Sequence, residues 1–230
     1  MNLVRLCAVA AVFIPVAACG SQSSSSEPTS TVAESAATPS EPAATAPATG
    51  PAETAHIGDP APTFSLVDVD GKQVSLASYR GKVVVLEWFN PSCPFIQYAH
   101  TKGPLVTMAK ASADDVAWLA INSNAPGKEG SGAEANRAAK AKFGFAYPLL
   151  LDETGTVGLA YGAKSTPHMF VINKDGILVY KGALDNKPVG KLRGDTYINY
   201  VTEALAAVSA GEPVKTAETT SYGCSVKYGS

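Results

Sequence analysis

The sequence predicts an α/β domain with a central mixed β-sheet flanked by helices, an N-terminal hairpin and a C-terminal tail. The first observation is the run Lys82–Asn90, which is almost continuously apolar, as in a strand buried on both faces of a mostly parallel sheet. The second is that helix-like and strand-like segments alternate after this run. The third is a closing pair of short strands around Lys174-Asp175-Gly176, followed by a last helical segment.

Each element has its own local signal. Asp70-Gly71 is a turn dipeptide between two short alternating runs, residues 64–69 and 73–76, and predicts the hairpin. A helix is expected from Pro94, interrupted near Gly103-Pro104 because proline removes a helical hydrogen-bond donor, and resuming to about Ala111. The remaining expected elements are a strand over 116–123, a helix over 133–143, a strand over 147–151, a helix over 157–161, strands over 168–173 and 177–181, and a last helix over 196–210.

Residues 1–19 have the pattern of an export signal, with Arg5 as the charged start and an apolar stretch that is too short to span a bilayer. The stretch ends in residues 16–20, Val-Ala-Ala-Cys-Gly, which resemble a bacterial lipobox. This resemblance implies that Cys19 is lipidated and attaches the mature chain to a membrane; ordinary cleavage after Ala18 is the alternative. The expected location is the bacterial cell envelope, facing the periplasm or the exterior.

Three further segments follow the signal. Residues 20–54 are rich in Ser, Thr, Pro, Ala and Glu and lack aromatic residues, so they are expected to form a disordered tether. Residues 55–212 are expected to form one domain, and residues 213–230 a tail that carries Cys224. A net charge of −2 and a pI near 5.9, without a Lys/Arg cluster, argue against a nucleic-acid partner.

Cys93 is the main candidate for chemistry because it stands where the buried strand is expected to turn into a helix. Pro94 suits the first helical position, and the free N–H groups of a first helical turn favour a thiolate. A thiolate is a nucleophile, so we expect a reactive, accessible sulfur at this position. In an exported and oxidising compartment, Cys93 and Cys224 can take part in disulfide chemistry.

Two residue groups resemble the thioredoxin-like superfamily: Cys93-Pro94 at the strand-to-helix turn, and Ser165-Thr166-Pro167 before the strand that starts at His168. The resemblance implies a thioredoxin-like fold and a cis peptide bond before Pro167, with this proline lying against the reactive sulfur. It also implies a substrate groove that includes Pro94, Phe95, Thr166 and His168. The segment between Asn122 and Lys140 and the end of the chain, residues 222–228, are similar to the redoxin group, which is related to the thiol-specific antioxidant peroxiredoxins.

Glu87 lies inside the apolar strand, six residues before Cys93, where a charged side chain needs a partner or a function. Thioredoxin-like enzymes place a buried acid at this spacing as a proton acceptor, and burial would raise the pKa of such a carboxyl group. The resemblance therefore implies a proton-transfer role for Glu87. A pairing with Lys82 or another surface cation is the alternative.

The chain departs from thioredoxins in having Ile96 where they carry a second cysteine. A dithiol cycle within the motif is excluded, so the resolving thiol must come from Cys224, from a small thiol or from a partner protein. The tail that carries Cys224 could fold back over the site or reach another copy of the chain.

Peroxiredoxins use a Thr or Ser three residues before the reactive cysteine, and here that residue is Asn90. Thiol–disulfide exchange is therefore the reaction class that we expect first, with peroxide as a second substrate. The expected partners are a protein or small-molecule thiol or disulfide and an external reductant, and no cofactor or metal is expected. A second hypothesis is a non-catalytic binding module, for a partner or for copper, in which a Cys93–Cys224 disulfide is structural.

Overall fold

The computed structural model describes residues 55–112, 114–144 and 146–229. The expected signal, Cys19 and the tether lie outside the described residues. Within them the elements are β1 (Ser65–Asp68), β2 (Gln73–Ser75), β3 (Val83–Trp88), α1 (Pro94–Thr101), α2 (Leu105–Ala111), β4 (Val116–Asn122), α3 (Ala133–Phe143), β5 (Leu149–Leu151), α4 (Thr156–Tyr161), β6 (Ser165–Thr166), β7 (Met169–Ile172), β8 (Leu178–Gly182), α5 (Tyr200–Ala210) and β9 (Cys224–Ser225), with short 3₁₀ turns at Leu76–Tyr79 and Pro188–Gly190.

The main sheet has seven strands in the order β2-β1-β5-β4-β3-β7-β8. Strands β3, β4 and β5 run parallel, whereas β7 pairs antiparallel with both β3 and β8, so the sheet is mixed as predicted. Strand β3 is buried along its whole length because apolar layers cover both of its faces. Val84, Leu86 and Trp88 enter one apolar layer, and Val83 and Val85 enter the other.

Most local predictions are confirmed, including the hairpin and the break in the helix after Cys93. The last helix starts at Tyr200, not near 196, because the side chain of Asn199 caps it by accepting a hydrogen bond from the Thr202 N–H at 3.0 Å. The sequence analysis missed the two-stranded sheet of β6 and β9, since strands of two residues carry no periodicity. Within the described part of the chain, no helix is long and apolar enough to cross a membrane.

Candidate active site at Cys93 and Cys224

Cys93 occupies the position that the sequence predicts, at the end of β3 and directly before α1. It is the N-cap residue of α1, and Pro94 follows at the first helical position. Its backbone N–H donates to the Asn90 carbonyl at 3.1 Å, which closes the turn between strand and helix. The local sequence therefore places the sulfur at the carboxyl end of a central strand, beside the first turn of a helix.

The second predicted feature, a cis peptide bond between Thr166 and Pro167, is confirmed. The Cys93 thiol donates a hydrogen bond to the Thr166 carbonyl oxygen, with 3.0 Å between Sγ and O. The residue that contacts the sulfur is therefore Thr166, directly before the proline that the resemblance placed there.

The C-terminal tail folds back over this site, which is the first of the two arrangements considered for Cys224; the other was contact with another copy of the chain. Strand β9 pairs antiparallel with β6, and in this register Cys224 stands opposite Thr166. The Cys224 side chain packs on the same apolar cluster as Cys93. Burial, followed by the neighbouring Cys93, raises the pKa of the Cys224 thiol.

The expectation of an accessible Cys93 is wrong for this closed arrangement, because only 1% of the residue is exposed. The tail covers it, and Gly223 allows this close approach. Gly223 has φ of +127°, and a Cβ atom at this position would collide with the Thr166 carbonyl. A reagent in solution can therefore reach the Cys93 sulfur only after the tail has moved away from it.

Several hydrogen bonds hold the tail on both sides of Cys224. The Tyr222 hydroxyl donates to Asp185 Oδ1 at 2.6 Å, and Asp185 is only 3% exposed. On the other side, the Lys227 N–H donates to Asn124 Oδ1 at 2.9 Å, and the Tyr228 hydroxyl donates to the Ala163 carbonyl at 2.7 Å. The tail is therefore held on the domain by specific hydrogen bonds on both sides of Cys224.

Glu87 is fully buried, and its partners are not the surface cation that was considered for it. Its Oε1 lies 2.8 Å from His100 Nε2, and its Oε2 accepts a hydrogen bond from the Tyr147 hydroxyl at 3.3 Å. Lys82 instead directs its ammonium group to the Asp114 carbonyl. Burial and the adjacent Glu87 carboxylate raise the pKa of Tyr147, which keeps this phenol a hydrogen-bond donor.

The four predicted groove residues have different surroundings. Phe95 packs against the Tyr222 ring of the tail, with 5.8 Å between ring centroids, while Pro94 is exposed and Thr166 is buried. His168 does not accompany them to the sulfur: its ring packs at a tilt against Phe170, with 4.5 Å between ring centroids, and borders a separate cavity. The cause is strand alternation, which turns His168 toward the apolar layer that contains Phe170.

Sequence reasoning missed three residues of the site: His100, Asn124 and Asp185. His100 follows Cys93 by seven residues, so it lies on the same buried side of α1, and this spacing was the one signal that could have identified it. The roles of Asn124 and Asp185 depend on contacts with the tail, which no local pattern indicates. Among the residues that the structure describes, no three metal-ligating side chains come together.

Comparison with known proteins agrees with this geometry. Residues 56–195 match the family model described as Redoxin. A thiol-disulfide oxidoreductase ResA of Geobacillus thermodenitrificans is 30% identical over 124 residues, which cover 52% of this chain and 65% of that protein, just under two thirds of its length. Peroxiredoxin-2 of Cricetulus griseus is 32% identical over 179 residues, which cover 68% of this chain and 79% of that protein.

A solved structure of a hypothetical protein from Sinorhizobium meliloti superimposes with a TM-score of 0.68 at 28% identity, covering 77% of this chain and 97% of that one. The mixed sheet with flanking helices is the thioredoxin-like fold that the sequence predicts. Because the matched family model spans more than half of its length, this chain belongs to the redoxin family.

Proposed function

We propose that this protein is an exported thiol–disulfide oxidoreductase in which Cys93 is the nucleophile and Cys224 is the resolving cysteine. The observation that carries the proposal is the position of Cys224, whose strand places its thiol against Cys93 across from Thr166. Since Ile96 excludes a disulfide within the motif, an adjacent thiol from the tail supplies the missing partner. The resemblance of the chain to proteins named thiol-disulfide oxidoreductase supports the reaction class.

The proposed cycle starts when the tail lifts and Cys93, as the thiolate, attacks a substrate disulfide. A bond forms between Cys93 and one substrate sulfur, and the other substrate sulfur leaves as a thiolate that takes up a proton. Cys224 then attacks the Cys93 sulfur, and its proton passes to the second substrate sulfur, which leaves as a thiol. The chain is left with a Cys93–Cys224 disulfide, and an external dithiol must reduce it to complete the cycle.

Peroxide is a second proposed substrate of the same sulfur. Attack of Cys93 on peroxide would give a sulfenic acid and release water or an alcohol, and Cys224 would then displace a second water to form the same disulfide. The family match to peroxiredoxins supports this branch, whereas Asn90 in place of their Thr or Ser argues for exchange as the faster reaction.

We infer a proton-transfer role for Glu87 through its two partners. His100 and Tyr147, which both contact the carboxylate, also line a cavity of about 410 Å³ bordered by α2 and the end of α3. Tyr147 packs on the same cluster as Cys93. This arrangement supports a path along which a proton can pass between the surface and the buried acid.

The location remains a proposal that rests on residues 1–54. The export pattern and the lipobox-like Cys19 support a chain anchored to a membrane of the bacterial envelope, with residues 20–54 as the spacer. For about 35 residues in a flexible coil, the mean reach is roughly 30–35 Å, enough to hold the domain clear of the lipid surface.

The test is to trap the intermediate with a disulfide-linked dye peptide. Cys93→Ser should abolish the release of dye, whereas Cys224→Ser should release one dye and keep the other half as a mixed disulfide, which peptide mass mapping assigns to Cys93. Ser225→Ala, in the same strand, serves as the matched control and should turn over like the unmodified chain. Full turnover by both cysteine variants would refute the proposal.

The alternative is a binding module in which the Cys93–Cys224 bridge is a structural staple. The burial of Cys93 and the many hydrogen bonds of the tail favour it, since a staple needs no access. The reduction potential of the bridge separates the two functions: a value well below about −300 mV indicates a staple, because such a bond resists the reductants that a catalytic cycle uses.

A further inference from the structure

A cavity of about 540 Å³ lies between the body of the domain and the tail, on the side of β6 that His168 faces. Its floor is buried and is formed by Tyr161, Ser165 and His168. Its outer wall is the tail segment 218–221, which ends three residues before Cys224. The full lining is Tyr161, Gly162, Lys164, Ser165, His168, Lys181, Glu218, Thr219, Thr220 and Ser221.

The polar groups around this cavity are two lysines, the imidazole of His168, several hydroxyl groups and one carboxylate. His168 is 7% exposed, and its Nδ1 accepts from the Lys164 N–H at 3.3 Å, so the neutral ring carries its proton on Nε2. Within the described part of the chain, this contact at Nδ1 is the one hydrogen bond of the His168 ring, and the residue lines the cavity. Burial and, after it, the charges of Lys164 and Lys181 lower the pKa of His168 to about 4.

A single carboxylate offsets these charges. Glu218 pairs with Lys181 at 3.4 Å, but it stands at the rim with 63% of its side chain exposed. The Lys181 ammonium also donates to the Ala55 carbonyl at 3.1 Å, which fixes its position at the edge of the cavity. The Lys164 side chain is exposed and adds a second ammonium group.

We propose that this cavity binds a small organic oxyanion, a carboxylate or a phosphate, and that the bound ligand holds the tail closed over Cys93. The Nε2–H of His168 and the two ammonium groups would donate to the ligand oxygens, which are charge-assisted hydrogen bonds. The cavity volume exceeds that of inorganic phosphate and leaves room for a short carbon skeleton. Binding of the ligand does not require the redox role proposed for Cys93.

The connection to the tail follows from the lining. Because the segment 218–221 forms one wall, the complete site exists only when the tail is closed. A ligand that binds the closed state alone reduces the open population by the factor 1 + [L]/Kd, about 11-fold at a concentration ten times Kd. By linkage, closing the tail must strengthen ligand binding by the same coupling.

The binding test uses the full chain, with inorganic phosphate and succinate as probes and NMR of the imidazole of His168 as the readout. His168 is assigned among the three histidines with a His168→Gln variant. Each probe should shift the resonances of His168 saturably and raise its pKa from about 4, because a bound anion stabilises the imidazolium. The response to phosphate distinguishes a phosphate ligand from a carboxylate ligand, and either one supports the site.

Variants assign the response to the cavity. Lys164→Ala and Lys181→Met should each raise the Kd of the probe at least fivefold. Lys174→Ala, which removes a surface lysine paired with Asp115, should leave this Kd unchanged. An equal effect of sodium chloride at matched ionic strength, or equal responses of all three variants, would overturn the ligand site.

The second arm measures the tail directly. At a phosphate or succinate concentration ten times Kd, the rate at which iodoacetamide alkylates Cys93 should fall about 11-fold in the reduced unmodified chain and no more than about threefold in Lys164→Ala. If the ligand binds by NMR but alkylation keeps its rate, the coupling to the tail is wrong. Neither readout requires turnover. The ligand site can therefore be confirmed or refuted whether or not the proposed oxidoreductase cycle is correct.

Discussion

Removing one hydroxyl from the tail should expose the buried cysteine. In Tyr222→Phe the ring keeps its packing on Phe95 but loses the hydrogen bond to Asp185, which at 2.6 Å is the shortest polar contact of the tail near Cys224. A hydrogen bond to a charged group contributes about 1.5–3 kcal/mol. At 1.4 kcal/mol for each factor of ten, its loss should raise the open population of the tail about 10- to 150-fold.

The lower end of this range is the expected result, because Asp185 does not become unpaired. It still accepts from the Lys187 N–H at 2.9 Å and from the Tyr197 hydroxyl at 3.2 Å. We therefore expect iodoacetamide to alkylate Cys93 roughly tenfold faster in reduced Tyr222→Phe than in the unmodified chain.

Tyr197→Phe is the matched control for this experiment. It removes the other phenol contact of the same carboxylate but changes no residue of the tail, so Cys93 should react at the unmodified rate. If the two variants react alike, or if Tyr222→Phe leaves the rate unchanged, the tail does not limit access to Cys93 and the reasoning about burial fails.

Three further predictions follow from the same contacts. Glu87→Gln should slow the single-turnover exchange step about 100-fold and flatten its pH profile if the carboxylate transfers protons; an unchanged profile would leave Glu87 a structural role only. Oxidation of the Cys93–Cys224 pair closes a loop of about 130 residues and should raise the free energy of unfolding by up to about 5 kcal/mol. The denaturation curves under oxidising and reducing conditions should therefore differ in the unmodified chain and coincide in Cys224→Ser. His168 has a folded-state pKa of about 4, so the stability tied to its neutral ring is present above pH 6.5 and should decline as the pH falls toward 4, by up to about 3 kcal/mol. Chemical denaturation at several pH values should show this decline in the unmodified chain and should no longer show it in His168→Gln.

The central part of the site was predictable because its signals are local. A buried strand that ends in Cys93-Pro94 carries its own evidence, since hydrophobic run, turn and first helical position are adjacent in sequence. The cis bond before Pro167 was predictable from the resemblance. The acid at Glu87 was identifiable because a charge within an apolar strand needs a buried partner.

The remaining features depend on contacts between distant residues. The partner of Glu87 is His100, on the next helix, and Lys82 is too far along the strand to serve. His168 follows the predicted loop directly, yet strand alternation directs it into another cavity. Neither outcome has a signal within a few residues of the side chain concerned.

The sequence alone determined the α/β fold, the position of Cys93 at the start of a helix and the absence of a second cysteine at position 96, because hydrophobic periodicity and turn chemistry act over a few residues. Only the tertiary structure decided that the tail returns to pair with β6, buries Cys93 and presents Cys224 to it. That outcome depends on hydrogen bonds from the tail to Asp185 and Asn124, which lie about 40 and 100 residues earlier in the chain, and such long-range pairing leaves no periodic trace in the sequence.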